Sequence, residues 1–231
     1  MTALVLVDVQ NDFLPPNGAL AVPEGDQIID PILDLLDIEW KIVIATQDWH
    51  PNNHTSFASQ HGVEPYAELE FTHPLGELDA SGKAKTLKQI VWPDHCIQGS
   101  KGAEIEHHVL EKFEVADMAN PIVKKGYLQD REYYSCFHDC WGIHKTEIEG
   151  YLKEHEIKEV VFVGLAYDFC VLNSARDCAS LGYKTYVVKN CSRPVYVDKI
   201  SETDKQYTDA GVEVINFDDS FPWKPTTTGG L

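Results

Sequence analysis

The chain has 231 residues, 43% of them hydrophobic and 24% charged, which is an ordinary globular composition with enough length for one full hydrophobic core. Its 37 acidic residues outnumber its 19 basic ones, so the formal net charge at pH 7 is −18. Charge of this sign repels phosphate backbones and anionic lipid, and we therefore expect neither nucleic acid nor a membrane as a partner.

Short apolar runs alternate with amphipathic segments along the chain. The runs that predict buried strands lie, in chain order, at 3–9, 41–46, 121–126, 159–165, 184–188 and 212–217. The segments that predict helices lie at 26–40, with a first turn at Pro31, and at 144–157, 168–182 and 198–211. Strands alternating with helices predict an α/β fold, a three-layer α/β/α sandwich around a mainly parallel, Rossmann-like sheet.

No shift in composition divides the chain, so we predict a single domain over residues 1–231 with a surface excursion at about 62–90. The N-terminus MTALVLVDVQ has no basic lead-in and contains Asp8, which argues against a signal peptide or a membrane span. The six cysteines include no CxxC pair, and we expect them to stay reduced. We expect a cytoplasmic protein, with the nucleus or the peroxisome as alternatives, although the C-terminus lacks Ser-Lys-Leu.

Chemically reactive side chains follow four of the predicted strands: Asp8, the pair Asp48 and His50, Lys125, and Cys170. Because ligands of open parallel sheets bind beyond the carboxyl ends of the strands, we expect these side chains to meet at one edge. Asp8 can accept a proton from a nucleophilic thiol, and Lys125 can stabilise both anions. A turn residue is the alternative role for Asp8, and a surface lysine is the alternative for Lys125.

Cys170 follows the run VVFVGLA and precedes a predicted helix. A helix N-terminus favours a thiolate, and a strand-to-helix turn leaves backbone N–H groups free to hold an oxyanion. A cysteine that packs as a small hydrophobe is the alternative. Cys178 lies two helical turns later and is expected in the core. Cys191 also follows a predicted strand and is a rival nucleophile, although no helix begins after it.

A candidate metal site begins in the segment QDWHPNNH. Asp48 and His50 lie two residues apart in a turn, and His95 in VWPDHC completes a set of two imidazoles and one carboxylate. His54 is either a fourth ligand or a neighbour of the ligands, and a structural role is the alternative for each histidine taken alone. We expect one divalent ion, zinc first, with iron and manganese as alternatives.

Taken together, these motifs resemble those of the nicotinamidases, within the isochorismatase-like cysteine hydrolases. The resemblance covers nearly the whole chain and is closest to the fungal type. It depends on DVQNDF (8–13), TQDWHPNNHTSF (46–57), WPDHCIQGSKGAE (92–104), KKG (124–126) and GLAYDFCV (164–171). Tyr167 departs from the threonine of many bacterial relatives, which affects the shape of the pocket more than the chemistry.

The resemblance implies roles for the residues at the strand ends. Asp8, Lys125 and Cys170 would form a catalytic triad, and the three metal-binding candidates would be the ligands. A cis peptide between Leu165 and Ala166 would aim the N–H groups of Ala166 and Cys170 at the oxyanion.

The resemblance also implies a substrate, nicotinamide, whose ring Phe13, Trp92 and Tyr134 would contact. The reaction would be hydrolysis of a linear, non-peptide amide to nicotinate and ammonia through a cysteine thioester, in NAD salvage, and a homo-oligomer is compatible with the sequence. Two alternatives stay open: a hydrolase of another small amide, and a non-catalytic metal-binding module. Isochorismate is disfavoured as a substrate, because that branch of the superfamily lacks the nucleophilic cysteine.

Overall fold

A six-stranded parallel sheet organises the protein. The structure, a computed structural model, describes residues 1–115 and 120–223. The strands are β1 (Thr2–Val7), β2 (Ile42–Asp48), β3 (Glu68–Thr72), β4 (Thr86–Ile90), β5 (Ile122–Lys125), β6 (Glu159–Leu165), β7 (Lys184–Arg193) and β8 (Glu213–Ile215). The α-helices are α1 (Ile29–Leu35), α2 (His107–Val115), α3 (Ile148–Glu154), α4 (Cys170–Ser180) and α5 (Ile200–Asp209).

Helices cover both faces of the sheet. Along β1, Leu4 and Leu6 face a core completed by α1 and α2, whereas Val5 and Val7 face a second core completed by α3, α4 and α5. Because both faces of the central strands are buried, these strands read as continuous apolar runs in the sequence. The predicted three-layer α/β/α sandwich is confirmed.

The strand order of the six-stranded sheet, β5-β2-β1-β6-β7-β8, reverses direction beside β1. The chain passes from β1 to β2 on one side and later returns to β6 on the other, which opens a crevice at the carboxyl ends of β1 and β6. Gly164 of β6 lies directly against Val7 of β1, so that a Cβ there would lie 2.1 Å from the Val7 carbonyl oxygen. Asp8 then leaves the sheet in a left-handed conformation, with φ of 47°.

Several helix boundaries differ from the sequence prediction. The helix predicted to begin at Pro31 begins at Ile29, and proline is tolerated because first-turn N–H groups have no intrahelical partner. It ends at Leu35, whose carbonyl accepts the Trp40 indole N–H at 2.8 Å. The helix predicted at 144–157 is regular only in α3, because Thr146 instead pairs with Phe137 through its backbone N–H at 2.9 Å.

One helix and the end of one strand were not predicted from the sequence. Helix α2 was not predicted, although Val109 and Phe113 have helical spacing and are both buried. Strand β7 was predicted to end at Val188 but continues to Arg193, pairing with β6 through an irregular register. Cys191 therefore lies inside a strand and not after one, which corrects its interpretation as a nucleophile at a strand end.

The predicted surface excursion contains an antiparallel hairpin formed by β3 and β4. Trp92, which follows the hairpin, donates its backbone N–H to Ser56 and accepts from Ala58 through its carbonyl, both at 2.8 Å. The excursion is therefore fastened where it returns to the body of the protein.

Strands from near both ends of the described chain, β1 and β8, belong to one sheet, and on this basis we propose a single domain. Residues 224–231, which include the C-terminal tripeptide considered above, lie outside the described residues. Within the described ranges, no helix is long and apolar enough to cross a bilayer.

The close approach of β6 to β1 predicts that Gly164→Ala strongly destabilises the fold. Besides the contact with Val7, residue 164 has φ of 116°, which is disfavoured for an L side chain. We expect a loss of about 3 kcal/mol or more in the free energy of unfolding, measured by chemical denaturation. Gly150→Ala in α3, where no atom lies within 4 Å of the new Cβ, is the control and should gain up to about 1 kcal/mol. Equal losses at the two positions would contradict the prediction.

Candidate active site

The strand ends that carry the predicted reactive groups meet at one edge of the sheet. Asp8 follows β1, Asp48 ends β2, Lys125 ends β5 and Cys170 begins α4 beyond β6. One side-chain atom each from Asp8, Asp48 and Cys170 lie within 4.8 Å of one another. The structure thus brings together groups that are far apart in the sequence.

The ammonium of Lys125 lies at the centre of this group and is 0% exposed. Its Nζ donates to Asp48, to the Tyr133 carbonyl at 3.0 Å and to the Cys170 sulfur at 3.4 Å, and lies 2.9 Å from Asp8 Oδ2. Burial alone would lower the pKa of Lys125, but the charges of Asp48 and Asp8 raise it above its usual value. Lys125 therefore stays an ammonium.

The two carboxylates bound to Lys125 have different acidities. Burial raises the pKa of Asp8 to about 6, against the opposing effect of Lys125. Burial also acts on Asp48, but Lys125 and His50 together lower the pKa of Asp48 below its usual value. The Thr46 hydroxyl donates to Asp8 Oδ1 at 2.6 Å, whereas Asp8 Oδ2 accepts no well-oriented hydrogen bond, although Lys125 is close. Asp8 is therefore the carboxylate that can exchange a proton near neutral pH.

Cys170 lies at the N-terminus of α4, as predicted, and is buried. Burial raises the pKa of its thiol well above the usual value, and the opposing effect of Lys125 is smaller. Desolvation therefore opposes the thiolate that the helix N-terminus is predicted to favour, and it favours the protonated thiol in the resting protein.

The turn before Cys170 leaves two backbone donors free. The N–H groups of Phe169 and Val171 both donate to the Ala166 carbonyl, whereas in the described part of the chain those of Ala166 and Cys170 donate to no group. The Leu165–Ala166 peptide is cis. The two free N–H groups are the ones that the resemblance implies for an oxyanion hole.

Four of the other cysteines, Cys96, Cys136, Cys178 and Cys191, lie in the hydrophobic cores. Cys178 is fully buried in the core beneath α4, together with Cys136. Cys191 is fully buried in the core on the opposite face of the sheet from Cys170. Cys170 is thus the cysteine whose sulfur contacts Lys125.

Asp48, His50 and His95 form a candidate metal site, with one ligand atom of each within 4.8 Å of the others. The carbonyls of Gly126 and Pro93 bind Nδ1 of His50 and of His95, at 2.8 Å and 2.7 Å. This arrangement directs each Nε2 away from the backbone, and His50 Nε2 is buried without a hydrogen-bond partner. The donor set consists of one carboxylate and two imidazoles, each held through its Nδ1, and the Nε2 of one imidazole has no hydrogen-bond partner. Such a set fits a divalent metal ion.

His54 is a neighbour of this set and not a candidate ligand. Its Nε2 bonds to the Arg131 carbonyl at 3.0 Å, and its Nδ1 accepts the Ser56 N–H at 3.2 Å. Burial lowers the pKa of His54 to about 3. With both ring nitrogens engaged, His54 instead supports His50, whose ring centroid lies 4.1 Å from its own.

A cavity of about 40 Å³ joins the two groups of residues. The cavity is lined by the three residues predicted to contact the substrate ring, Phe13, Trp92 and Tyr134. It is also lined by Asp48, His95 and Cys170. The Phe13 ring lies 5.5 Å from His95, on the side of the metal site, and the Trp92 indole donates to the Tyr134 hydroxyl at 3.3 Å. An aromatic cavity with a few convergent polar groups suits a small planar ligand.

Phe169 and Glu132 are two of the cavity residues that were not predicted from the sequence. Phe169 packs perpendicular to Trp92 at 4.8 Å and immediately precedes Cys170, so its position in the nucleophile motif could have indicated it. Glu132 also lines the cavity, and its carboxylate accepts from the Ser56 hydroxyl and from the Tyr133 N–H. Glu132 follows no predicted strand, and no local pattern in the sequence indicates its burial.

Comparison with known proteins identifies the family of this chain. The isochorismatase domain model matches residues 2–219. The chain belongs to the isochorismatase family. A family relative, a nicotinamidase of Saccharomyces cerevisiae, is 41% identical over 202 residues, which cover 86% of this chain and 90% of the relative.

Solved structures of the isochorismatase fold agree with this assignment. The structure of the yeast nicotinamidase Pnc1p bound to the inhibitor nicotinaldehyde has a TM-score of 0.87 and 37% identity, and the match covers 94% of this chain and 100% of that one. A pyrazinamidase of Pyrococcus horikoshii in complex with zinc has a TM-score of 0.68 and 27% identity, covering 94% and 99% of the two chains. The similarity thus extends over nearly the whole chain.

The central position of the Lys125 ammonium predicts a large loss of stability in Lys125→Met. This change leaves the carboxylates of Asp8 and Asp48 buried without their cation, which should cost about 3–5 kcal/mol in the free energy of unfolding at pH 7. Lys124→Met is the matched control, because the neighbouring side chain is exposed and lies over the Trp49 ring at 3.9 Å. It should cost less than about 1 kcal/mol. Similar losses in both variants, measured by urea unfolding, would show that the buried cation is not essential to the fold.

Proposed function

We propose that the protein is a nicotinamidase, which hydrolyses nicotinamide to nicotinate and ammonia through a thioester on Cys170. One observation carries the proposal: the buried ammonium of Lys125 contacts Asp8, Asp48 and the Cys170 sulfur beside an aromatic cavity. The names of the relatives support the choice of substrate, because the yeast relative and the yeast structure are both nicotinamidases.

The first half of the reaction forms the thioester. Because burial keeps the thiol of Cys170 protonated, Asp8 takes its proton as the sulfur attacks the carboxamide carbon. The N–H groups of Ala166 and Cys170 hold the oxyanion. Asp8 then gives the proton to the departing nitrogen, so that ammonia and not an amide anion leaves. Lys125 stays charged and stabilises the carboxylate and the sulfur.

The second half hydrolyses the thioester. Asp8, a carboxylate again after ammonia leaves, removes a proton from water, which attacks the thioester carbonyl. The same two N–H groups hold the second oxyanion, and the proton returns to the sulfur as nicotinate leaves. We place this reaction in NAD salvage, since nicotinate is a precursor of NAD.

Asp48, His50 and His95 would hold the divalent ion, with zinc as the proposed metal, and the zinc complex of the Pyrococcus horikoshii relative supports that choice. The chemistry that such an ion supplies is Lewis acidity toward a ring nitrogen. The ring itself would lie among Phe13, Trp92 and Tyr134.

The proposed role of Cys170 predicts that Cys170→Ala abolishes ammonia release from nicotinamide, with a fall of about a thousandfold or more in kcat. Cys178→Ala is the matched control on the same helix and should retain turnover, because its sulfur lies in the core. Ammonia release is measured for both variants over a range of nicotinamide concentrations. Wild-type turnover in Cys170→Ala would contradict the thioester mechanism, and faster ammonia release from another small amide would overturn the choice of substrate.

The candidate metal site predicts that zinc stabilises the protein. After treatment with a chelator, addition of zinc at about 100 times its Kd should raise the free energy of unfolding by about 2.7 kcal/mol, measured as an increase in Tm. His50→Ala should lose this response. His108→Ala, an exposed position on α2, should keep it. A full zinc response in His50→Ala would show that the ion binds elsewhere.

A further inference from the structure

Gln10 is fully buried, and its side chain bonds to both the N–H and the carbonyl of Asp48. Its Oε1 accepts the Asp48 N–H at 2.8 Å, and its Nε2 donates to the Asp48 carbonyl at 2.9 Å and to the Ala103 carbonyl at 2.8 Å. All of these groups are buried, and water cannot supply hydrogen bonds to them if the Gln10 side chain is removed.

This amide occupies the place of a missing strand. Strand β1 pairs with β2 as far as Leu6 and Ala45, and then Asp8 turns the chain away. The last residues of β2 are thereby left without a neighbour on that side. The Gln10 side chain supplies a donor and an acceptor to Asp48 in the way that a backbone would.

Asp12, two residues after Gln10, holds the backbone of the segment that carries His95. Its Oδ2 accepts the N–H of Cys96, the residue after His95, at 2.7 Å. The Cys96 carbonyl in turn accepts the His50 N–H at 3.0 Å. Gly102 makes room for this carboxylate, since a Cβ there would lie 2.1 Å from Asp12 Oδ2.

We propose that Gln10 and Asp12 are positioning residues that set the affinity of the Asp48, His50 and His95 group for its metal ion. Their hydrogen bonds go to backbone groups and not to the three ligand side chains. They hold the backbone of the two loops that carry the ligands, so that the ligands need no ordering when the ion binds. The inference depends on the metal site of the proposed function and adds residues to it.

The test compares two glutamine variants. Gln10→Met keeps the volume of the side chain and removes its three hydrogen bonds. Gln47→Met is the matched control, because the buried Gln47 amide donates to the same Ala103 carbonyl, at 2.6 Å, but not to Asp48. Zinc affinity is measured on chelator-stripped protein by competition with a chromogenic chelator. We expect Gln10→Met to bind zinc roughly 10- to 100-fold more weakly than the wild type, and Gln47→Met to match the wild type.

A second readout separates positioning from general destabilisation. Cobalt is added in place of zinc, since its visible absorption spectrum reports coordination geometry. Gln10→Met should change this spectrum and Gln47→Met should not, with the Tm of each metal-free variant recorded alongside. Wild-type zinc affinity in Gln10→Met would overturn the proposal. Equal losses in both variants would overturn it as well, because the bond to Ala103 would then explain them.

Asp12→Ala repeats the test without Gln10. It removes the bond to Cys96 and should weaken zinc binding, so unchanged affinity in this variant overturns the role of Asp12. If Gln10→Met does not fold, Asp12→Ala decides the proposal alone. These measurements use zinc and cobalt without substrate. Failure of the wild type to release ammonia from nicotinamide would therefore overturn the proposed function and leave this inference standing.

Discussion

The ammonium of Lys125 has no exposed surface and lies among two carboxylates and a sulfur, each supplied by a different part of the chain. A buried cation is costly unless it is closely paired, so Lys125 requires Asp8 and Asp48 to arrive from β1 and β2 in the correct register. The sheet order β5-β2-β1-β6 is what brings those strand ends, and the start of α4, to one point. The strand order that defines the fold therefore also determines which groups meet in the site.

Asp48 connects the proposed triad to the candidate metal site. One of its oxygens accepts from Lys125, and the other lies 3.5 Å from His50 Nε2. Lys125 and His50 keep Asp48 ionised. For Asp8, the effect of burial is larger than the opposing effect of Lys125, and its pKa is raised to about 6. Two carboxylates on one ammonium thus differ in acidity, which suits one for proton transfer and the other for holding charge.

The sequence predicted most of what depends on local pattern. Buried parallel strands read as apolar runs, and a charged residue at the end of such a run is unusual enough to indicate Asp8. Exposed lysines are common, so Lys125 was indicated only by the reactive residues at the other strand ends. Helix α2 was missed because it carries only a short apolar stripe, and the end of β7 because Lys189 and Asn190 interrupt the apolar run while backbone pairing continues.

Other features depend on tertiary contacts that no local pattern contains. Glu132 accepts from the hydroxyl of the distant Ser56, and His54 Nε2 bonds to the carbonyl of the distant Arg131. The desolvation that raises the pKa of the Cys170 thiol likewise depends on residues from several chain segments that surround it in the folded protein.

The most direct test of the account is a crystal structure of the protein with zinc and a nicotinamide-derived aldehyde, which can trap a nucleophilic sulfur. We expect continuous density from the Cys170 sulfur to the aldehyde carbon, with the new oxygen facing the N–H groups of Ala166 and Cys170. We also expect zinc to be bound by Asp48, His50 and His95. An unmodified Cys170 beside an occupied cavity, or an adduct on another cysteine, would contradict the account.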